Sequence, residues 1–458
     1  MKTFLKDGTI YTANGLKKAE VFIEDKIIKK IVLEDNCDNE QSAERTDNRQ
    51  YDEFGEDVEI INCKGHMIIP GLIDVHVHFR EPGFEYKETI ATGAAAAAAG
   101  GYTTVCTMPN LEPAPWDLNG LKPQLEAIKK DACIRVLPYG RITRPADSLR
   151  TSDKEKSTND FMQVIDGRMV ADLEAMAPYV FAFSDDGAGV QQEKLMEQAM
   201  RRAKKLGKII VAHCEDTNYA PEDPRSEYRQ IERDLKLVEK TGCSYHVCHV
   251  SAKESVELIR HAKTQGLDVT CETAPHYLVL SKSDISRKIE ELGEDEGGRF
   301  KMNPPVRDEA DRKALIEGII DGTVDMIATD HAPHSKEEKS KGFKDSLNGI
   351  LGLEAAFPVM YTCLVEKGII TMQRLIELMS IAPARRFGLD SVDNLSSPEY
   401  GMIREGARAD LAIIDIDHKY MIDPEKFLSK GRSTPFSGMA VKGKIKYTIS
   451  EGKTVFGG

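Results

Sequence analysis

The sequence lacks both long apolar runs and an excess of basic charge. No apolar stretch of the 458-residue chain approaches the ~20 residues that a membrane-spanning helix needs. Lys and Arg together number 62, whereas Asp and Glu number 75, so the formal net charge is −13. Nucleic-acid-binding proteins carry a basic surface, and this balance argues against such a partner. We therefore expect neither a membrane nor a nucleic acid among the partners of the chain.

The cysteines also lack the spacing of a metal-binding or disulfide framework. Nine thiols are scattered along the chain, and no two of them form a Cys-x-x-Cys motif. An odd number of irregularly spaced cysteines is typical of reduced thiols in a cytoplasmic protein. The first residues also lack the long apolar core of a signal peptide. The sequence therefore predicts a cytoplasmic location.

What the chain does contain, between residues 66 and 385, is an alternation of short apolar runs and helical stretches. Such alternation predicts parallel strands joined by crossover helices, and eight such units predict a closed, TIM-like (β/α)8 barrel. The fold class predicted is therefore α/β. The eight candidate strands begin near Leu72, Tyr102, Ile134, Tyr179, Lys208, Ser244, Leu267 and Val324. The helices predicted between them include Lys87–Ala99, Gln191–Leu206, Arg225–Lys240, Lys253–Thr264 and Asp311–Ile320.

The two ends of the chain have a different pattern, with short alternating strands separated by glycine turns. We expect residues 1–65 and 386–458 to form one small β-sandwich domain, appended to the barrel domain of residues 66–385. Between the N-terminal strands and the barrel, Glu34–Glu59 is acidic and has few apolar residues. This composition predicts a solvated loop, to which we assign no function.

The most informative stretch is the first barrel strand, from Leu72 to His78. Because strand side chains alternate between two faces, His76 and His78 share one face and point at a common place. Two imidazoles arranged in this way can bind one metal ion through their nitrogens. The alternative is a pair of packed core histidines.

Polar residues also follow several other barrel strands, at the carboxyl ends where barrel enzymes carry their chemistry. Four imidazoles and two carboxylates, without a thiolate cluster, predict Zn²⁺ or a similar divalent ion. Six ligands exceed the need of one catalytic zinc, which predicts two ions that share a bridging carboxylate. Asp186 is the candidate bridge, although position alone does not separate it from Asp185. The predicted ligands are His76, His78, Asp186, His213, His249 and Asp330.

The chemistry expected of such a site is metal-assisted hydrolysis. Two ions would lower the pKa of a bridging water and polarise a substrate carbonyl. Asp330 would take the proton of that water and pass it to a leaving nitrogen. Arg80, Asn110 and His334 would line the mouth and bind a small anionic substrate. In the alternative, Arg80 pairs with Glu81 or another surface acid.

Motifs along nearly the whole chain resemble the dihydroorotases of the amidohydrolase superfamily, in particular the bacterial long-chain class. The His-x-His pair is followed by Phe-Arg-Glu-Pro-Gly, and this combination is specific, whereas His-x-His alone indicates only the superfamily. The stretches that carry the resemblance are Pro70–Gly83, Thr107–Asn110, Phe183–Gly187, Ala212–Asp216, Cys248–Ser251, Glu272–His276, Lys301–Pro305 and Ala328–His334.

The resemblance implies reversible hydrolysis of dihydroorotate to N-carbamoyl-L-aspartate in pyrimidine biosynthesis. It implies one or two Zn²⁺ ions per subunit, a metal-bound hydroxide as nucleophile and Asp330 as general base and acid. The positions of Arg80, Asn110 and His334 hold the substrate carboxylate in this family, and the position of Asn303 lies beside the pyrimidine ring. The interval of 27 residues between Asp186 and His213 resembles that of the class and favours Asp186 over its neighbour.

Two alternative functions compete with this interpretation. Another cyclic amidase, such as an allantoinase or a hydantoinase, would share the barrel and the metal ligands but would not need a clamp for a ring carboxylate. A catalytically inactive relative would act as a structural partner of aspartate transcarbamoylase, but such relatives lose ligands that this chain retains. Among macromolecular partners, we expect a second copy in a homodimer and an association with aspartate transcarbamoylase.

Overall fold

The computed structural model describes residues 1–12, 15–33, 58–146, 164–389 and 403–457, so most of the predicted acidic loop lies outside the described residues. No helix in these ranges is long and apolar enough to cross a bilayer. The strands are β1 (Lys2–Thr12), β2 (Gly15–Glu24), β3 (Ile27–Leu33), β4 (Glu59–Asn62), β5 (Met67–Pro70), β6 (Leu72–Val77), β7 (Tyr102–Thr107), β8 (Arg135–Pro138), β9 (Gly140–Arg141), β10 (Thr143–Pro145), β11 (Arg168–Val170), β12 (Phe183–Ser184), β13 (Ile210–Ala212), β14 (Tyr245–Val247), β15 (Val269–Thr273), β16 (Met326–Ile327), β17 (Leu411–Met421), β18 (Ala440–Ser450) and β19 (Lys453–Gly457).

The helices follow the predicted alternation with the strands. The α-helices are α1 (Ile90–Ala99), α2 (Leu118–Asp131), α3 (Leu173–Met176), α4 (Glu193–Lys205), α5 (Arg225–Thr241), α6 (Lys253–Thr264), α7 (Pro275–Val279), α8 (Lys282–Leu292), α9 (Glu309–Asp321), α10 (Lys336–Lys339), α11 (Gly342–Asp345), α12 (Leu353–Met360), α13 (Met372–Ile376) and α14 (Ala382–Phe387). Short 3₁₀ segments span Glu294–Phe300 and Pro424–Lys426, and π-helical segments span Tyr361–Val365 and Glu377–Ile381.

The central part of the chain forms a closed parallel barrel, as predicted. β6, β7 and β8 pair in parallel, and β9 continues the third barrel strand one residue after β8. From β9 the parallel ladder runs through β12, β13, β14 and β15 to β16. A parallel bridge between Val77 and His331 closes the ring, and His78 N donates to His331 O at 2.8 Å. The eight strands therefore end at one rim.

Helix α1 packs closely on the strand that carries the two histidines. The Thr89 side chain caps the helix and accepts from Thr92 N. A Cβ added at Gly93 would lie 2.5 Å from the ring of Phe79, which is fully buried. The absence of a side chain at this position therefore lets the helix approach the residue that separates His78 from Arg80.

The chain ends form one hydrogen-bonded sheet beside the barrel, in the order β19-β18-β17-β5-β1-β2-β3, with β4 also paired to β1. The size of the N-terminal strands predicts a small antiparallel sheet, and the antiparallel pairing of β1 with β2 and of β2 with β3 confirms it. β4 and β5, however, pair in parallel with β1. β5 also pairs with β17, so this strand lies in the terminal sheet although its residues fall in the predicted barrel range. Buried side chains from both ends of the chain form a common core, including Leu5, Val21, Ile68, Leu411 and Ile449.

Candidate metal centre

A buried carboxylate on the first barrel strand fixes the backbone of His76, the first of the two histidines. Asp74 is fully buried and accepts hydrogen bonds from His76 N at 2.9 Å and from Thr329 N at 3.1 Å. Burial raises the pKa of Asp74 to about 7. This carboxyl therefore ties the first strand to the eighth, and the side chain of His76 projects towards the rim from a fixed backbone.

The six predicted ligands meet around Asp186, at the carboxyl ends of the strands. Asp186 Oδ1 lies 3.3 Å from His76 Nε2, 3.6 Å from His213 Nδ1 and 3.5 Å from His249 Nε2. The other oxygen, Oδ2, lies 3.4 Å from His78 Nε2. Oδ1 thus faces three imidazoles and Oδ2 faces the fourth. A carboxylate whose two oxygens face different imidazoles could bridge two metal ions.

Asp330 completes the group from the opposite side. Its Oδ1 lies 3.2 Å from His78 Nε2 and 3.5 Å from His76 Nε2. The side chains fall into two sets, and within each set the potential ligand atoms lie within 4.8 Å of one another: His76, His78 and Asp330 in one, and Asp186, His213 and His249 in the other. All six residues are buried.

The donor set fits a divalent cation. His76 Nε2 and Asp186 Oδ1 are buried, face each other, and have no hydrogen-bond partner. Buried polar atoms are nearly always satisfied, so a bound ion between them would supply the missing contacts. Imidazole nitrogen and carboxylate oxygen are the ligand types that Zn²⁺ prefers.

The electrostatics of the cluster reflect the close approach of acids and imidazoles. Burial by itself lowers the pKa of His76, but Asp186 and Asp330 raise it well above its ordinary value. Burial raises the pKa of Asp186, but His76, His213 and His249 outweigh that effect and hold it well below its ordinary range. Asp186 is therefore ionised, which is the form that binds a cation.

Asp185, the neighbour that position alone left as a rival, turns away from the cluster. Its Oδ1 accepts hydrogen bonds from Ile142 N at 3.0 Å, Thr143 N at 3.2 Å and Arg141 Nε at 3.2 Å. Asp185 thus fixes the segment that follows the third barrel strand. Of the two aspartates, only Asp186 belongs to the metal-ligand sets.

Three of the site residues have left-handed backbone conformations that non-glycine residues rarely adopt. The φ angles are +60° at Arg80, +35° at His249 and +49° at Asp330. Each lies just beyond a barrel strand, where the chain turns away. Such strained residues are concentrated at functional sites because the local turn aims their side chains.

Above the metal-ligand sets, a cavity of about 220 Å³ opens to the surface and is lined by His78, Arg80, Asn110, Asp186, Gly187, His213, His249, Asn303, Asp330, Ala332, His334, Asn348 and Gly349. Arg80 is buried, and its Nε donates to Pro333 O at 3.3 Å. The carboxylate of Glu81 instead accepts from Ile90 N at 2.7 Å. Among the described residues, no carboxylate forms a salt bridge with Arg80, so its guanidinium is available to an anion in the cavity.

The two predicted asparagines also contact the cluster. Asn110 Oδ1 accepts from His78 Nδ1 at 2.9 Å, which leaves Nε2 of His78 free to face Asp186 and Asp330. Asn303 Nδ2 donates to Glu215 Oε2 at 3.1 Å. Both amides therefore have structural partners inside the protein, which the sequence does not reveal.

Two carboxylates that the sequence analysis missed orient predicted ligands. Glu272, on β15, lies with Oε1 2.6 Å from His76 Nδ1 and with Oε2 3.1 Å from His246 Nε2. Glu215 Oε2 lies 2.9 Å from His213 Nε2. A signal for Glu215 was present, because it follows His213 by two residues, the same spacing that joins His76 to His78.

One thiol also lies within ligand distance of the cluster. Cys248 Sγ is grouped with His76 and Asp186. Burial raises the pKa of the Cys248 thiol, so it is protonated at neutral pH. The thiolate is the form that binds metals, so Cys248 would act as a ligand only where a bound ion displaces its proton.

Comparison with known proteins gives matches along the whole chain. The sequence model of the Amidohydrolase family matches residues 67–455. A dihydroorotase of Fusobacterium nucleatum is 42% identical over 469 aligned positions, which cover 99% of this chain and 98% of that protein. A dihydroorotase of Staphylococcus aureus is 41% identical over 471 positions, which cover 99% of each chain.

Solved structures support the fold. An L-hydantoinase (dihydropyrimidinase) from Arthrobacter aurescens superposes with a TM-score of 0.80 at 25% identity, covering 99% of this chain and 96% of that chain. A dihydropyrimidinase from Brevibacillus agri superposes with a TM-score of 0.79 at 22% identity, covering 100% and 95%. These likenesses confirm the barrel with an appended sheet that the sequence predicts.

Proposed function

The chain belongs to the amidohydrolase family and, within it, to the dihydroorotases, and from this membership we propose that it interconverts (S)-dihydroorotate and N-carbamoyl-L-aspartate in pyrimidine biosynthesis. The observation that carries the proposal is the buried Arg80 guanidinium, which faces the cavity without a carboxylate partner among the described residues. It lies above a cluster of metal-ligand type, where hydrolysis of the ring amide would take place.

The family is metal-dependent, and we propose Zn²⁺, as one or two ions, held by the six ligands named above. When bound, such ions lower the pKa of water and polarise a carbonyl oxygen. The arrangement of Asp186 supports two ions, because its oxygens face different histidines. The contribution of the chain is to hold these six side chains in place around the ions.

We propose that Asp330 moves the proton of the reaction. Burial raises the pKa of Asp330, but His76 and His78 outweigh this effect and lower it, so the carboxylate is ionised. In that form it can accept a proton from the attacking water and then deliver it to the ring nitrogen that leaves. Asp330 lines the same cavity as Arg80, and this supports the proposal that it carries the proton of the reaction.

The substrate carboxylate is bound, in this proposal, by Arg80, Asn110 and His334. Arg80 Nη2 lies 3.5 Å from His334 Nε2, so the two side chains can bind one anion together. Asn303 lines the same cavity, and in this proposal it lies beside the pyrimidine ring. Arginine is suited to this task because its planar fork matches a carboxylate with two parallel hydrogen bonds.

A substrate panel tests the proposal against the other cyclic amidases. The zinc-loaded protein should hydrolyse dihydroorotate, and should cyclise N-carbamoyl-L-aspartate at mildly acidic pH. Dihydrouracil, hydantoin and allantoin lack the ring carboxylate and should be poor substrates. Turnover of these three compounds without turnover of dihydroorotate would identify a hydantoinase-like enzyme, the alternative that the structural likeness to hydantoinases supports.

The assembly of the protein, its location and its domain boundaries are further proposals. We propose a homodimer, an association with aspartate transcarbamoylase, and a cytoplasmic location, which the free cysteines of the described residues support. We also propose that residues 66–385 form the catalytic domain, with residues 1–65 and 386–458 forming the appended β domain. Sedimentation of the purified protein, alone and with the transcarbamoylase, tests both associations.

A further inference from the structure

Lys87 lies against the imidazole of His334, at the nitrogen remote from Arg80. Its Nζ is 3.2 Å from His334 Nδ1, whereas Arg80 Nη2 lies near Nε2. Lys87 is buried, and its ammonium also lies 2.9 Å from Glu338 Oε1. An ammonium can only donate hydrogen bonds, so Nδ1 of His334 must accept.

The other nitrogen of His334 has the complementary partner. His334 Nε2 lies 2.7 Å from the backbone carbonyl oxygen of Asn348. A carbonyl oxygen can only accept, and it lies much closer to Nε2 than the Arg80 Nη2 donor does at 3.5 Å, so the proton of the neutral imidazole lies on Nε2. Burial, Arg80 and Lys87 lower the pKa of His334 to about 3, so the ring is neutral at physiological pH.

Glu338 is positioned to impose the opposite tautomer. Its Oε2 lies 3.2 Å from His334 Nδ1 and would accept a proton from that nitrogen. Lys87 opposes this, because it donates to Nδ1 and binds the same carboxylate. Glu338 has further donors in Tyr86 OH at 3.1 Å and Ser335 N at 3.0 Å.

We propose that Lys87 is a positioning residue that keeps the proton of His334 on Nε2 and so makes His334 a hydrogen-bond donor to the substrate carboxylate. This inference rests on the proposed function, in which His334 and Arg80 bind that carboxylate. On substrate binding, Nε2 exchanges the Asn348 carbonyl for a carboxylate oxygen. Without Lys87, Glu338 would draw the proton to Nδ1, and a lone pair on Nε2 would face the anion.

The direct test is ¹⁵N NMR of protein labelled at histidine, with the His334 signals assigned from a His334→Gln variant. The unchanged protein should show a protonated Nε2 and an unprotonated Nδ1. Lys87→Met should move the proton to Nδ1, and Lys87→Met/Glu338→Gln should return it to Nε2, because the Gln amide can donate to Nδ1. A protonated Nδ1 in the unchanged protein, or a Lys87→Met spectrum like that of the unchanged protein, would overturn the proposal.

Steady-state kinetics with dihydroorotate supply a second measurement. Lys87→Met should raise KM about tenfold with kcat changed less than about twofold, as expected when one charge-assisted hydrogen bond to the substrate is lost. Lys87→Arg keeps a donor and should raise KM less, and Lys336→Met, at an exposed lysine of helix α10, is the matched control. Equal KM values for Lys87→Met and Lys336→Met would contradict the proposal.

The two measurements also separate this inference from the function on which it rests. The tautomer of His334 is observed without substrate, so NMR decides the role of Lys87 even if the unchanged protein does not hydrolyse dihydroorotate. In that case the proposed function is wrong, and the ¹⁵N NMR spectrum alone decides whether the proton of His334 lies on Nε2.

Discussion

Two adjacent aspartates at the end of the fourth barrel strand have different surroundings. Asp186 faces four imidazoles, while Asp185 accepts hydrogen bonds from Ile142 and Thr143 of the preceding strand segment. Residue type and position do not distinguish them in the sequence. The prediction chose Asp186 because its interval to His213 resembles that of the dihydroorotases. The structure distinguishes them because successive side chains at a strand end point in opposite directions.

This contrast predicts different losses for matched substitutions. Asp186→Asn should lose most of the bound metal, because the candidate bridging carboxylate is removed. Asp185→Asn should keep the metal but lower the free energy of unfolding by about 1–3 kcal/mol, the cost of breaking buried hydrogen bonds. Metal content by mass spectrometry and urea unfolding measure the two effects. Equal metal content in both variants would contradict the assignment of Asp186.

Glu272 offers a second prediction at the scale of single residues. Its carboxylate lies 2.6 Å from His76 Nδ1, so it holds a proton at that nitrogen and leaves Nε2 facing Asp186, as the proposed metal ligation requires. Burial raises the pKa of Glu272, but His76 and His246 outweigh this effect and lower it to about 2. The acid is therefore ionised at neutral pH.

Glu272→Gln should therefore weaken metal binding by roughly 10–100-fold, the usual loss when the partner of a ligating histidine is changed. Competition with a chromophoric chelator measures the affinity. Glu257→Gln, an exposed residue of helix α6, is the control and should bind metal normally. An unchanged affinity in Glu272→Gln would show that His76 does not depend on this carboxylate.

At the scale of elements, the predicted strands and helices agree well with the structure because their apolar patterns are strong. The predicted helix Lys253–Thr264 has the observed bounds, and the predicted Lys87–Ala99 begins three residues later, at Ile90. Thr89 and Thr92 form a capping box that sets this start. The antiparallel pairing of β1, β2 and β3 was predicted, whereas the parallel return of β4 and β5 beside β1 was not, because it depends on contacts distant in sequence.

Helix α1 provides a test in which two effects have opposite signs. Helix propensity alone predicts that Gly93→Ala stabilises the protein by about 1 kcal/mol. The new Cβ, however, would lie 2.5 Å from the buried Phe79 ring, and such overpacking costs about 1–3 kcal/mol. We therefore expect net destabilisation, with a rise in KM because Phe79 adjoins Arg80. A higher melting temperature for Gly93→Ala would contradict the close packing described here.

At the scale of the whole molecule, the barrel gathers residues separated by more than 250 positions, from His76 to Asp330, at one rim. Eight β/α units and the polar residues after five strands were enough to predict that these side chains meet, but the choice of Asp186 over Asp185 needed the family resemblance. The spacing of Glu215 from His213 was a signal in the sequence, but the supporting contacts of Glu272 and Lys87 were not predictable in this way. Their partners come from other strands and loops, and only the closed barrel brings His76 to Glu272 or Lys87 to His334.

A crystal structure of the zinc-loaded protein with N-carbamoyl-L-aspartate, recorded with anomalous scattering at the zinc edge, tests the central claim most directly. The account predicts one or two anomalous peaks beside Asp186, within the ring of His76, His78, His213 and His249. It also predicts a ligand carboxylate hydrogen-bonded to Arg80 and His334. An anomalous peak elsewhere, or a ligand whose carboxylates all turn away from Arg80, would contradict it.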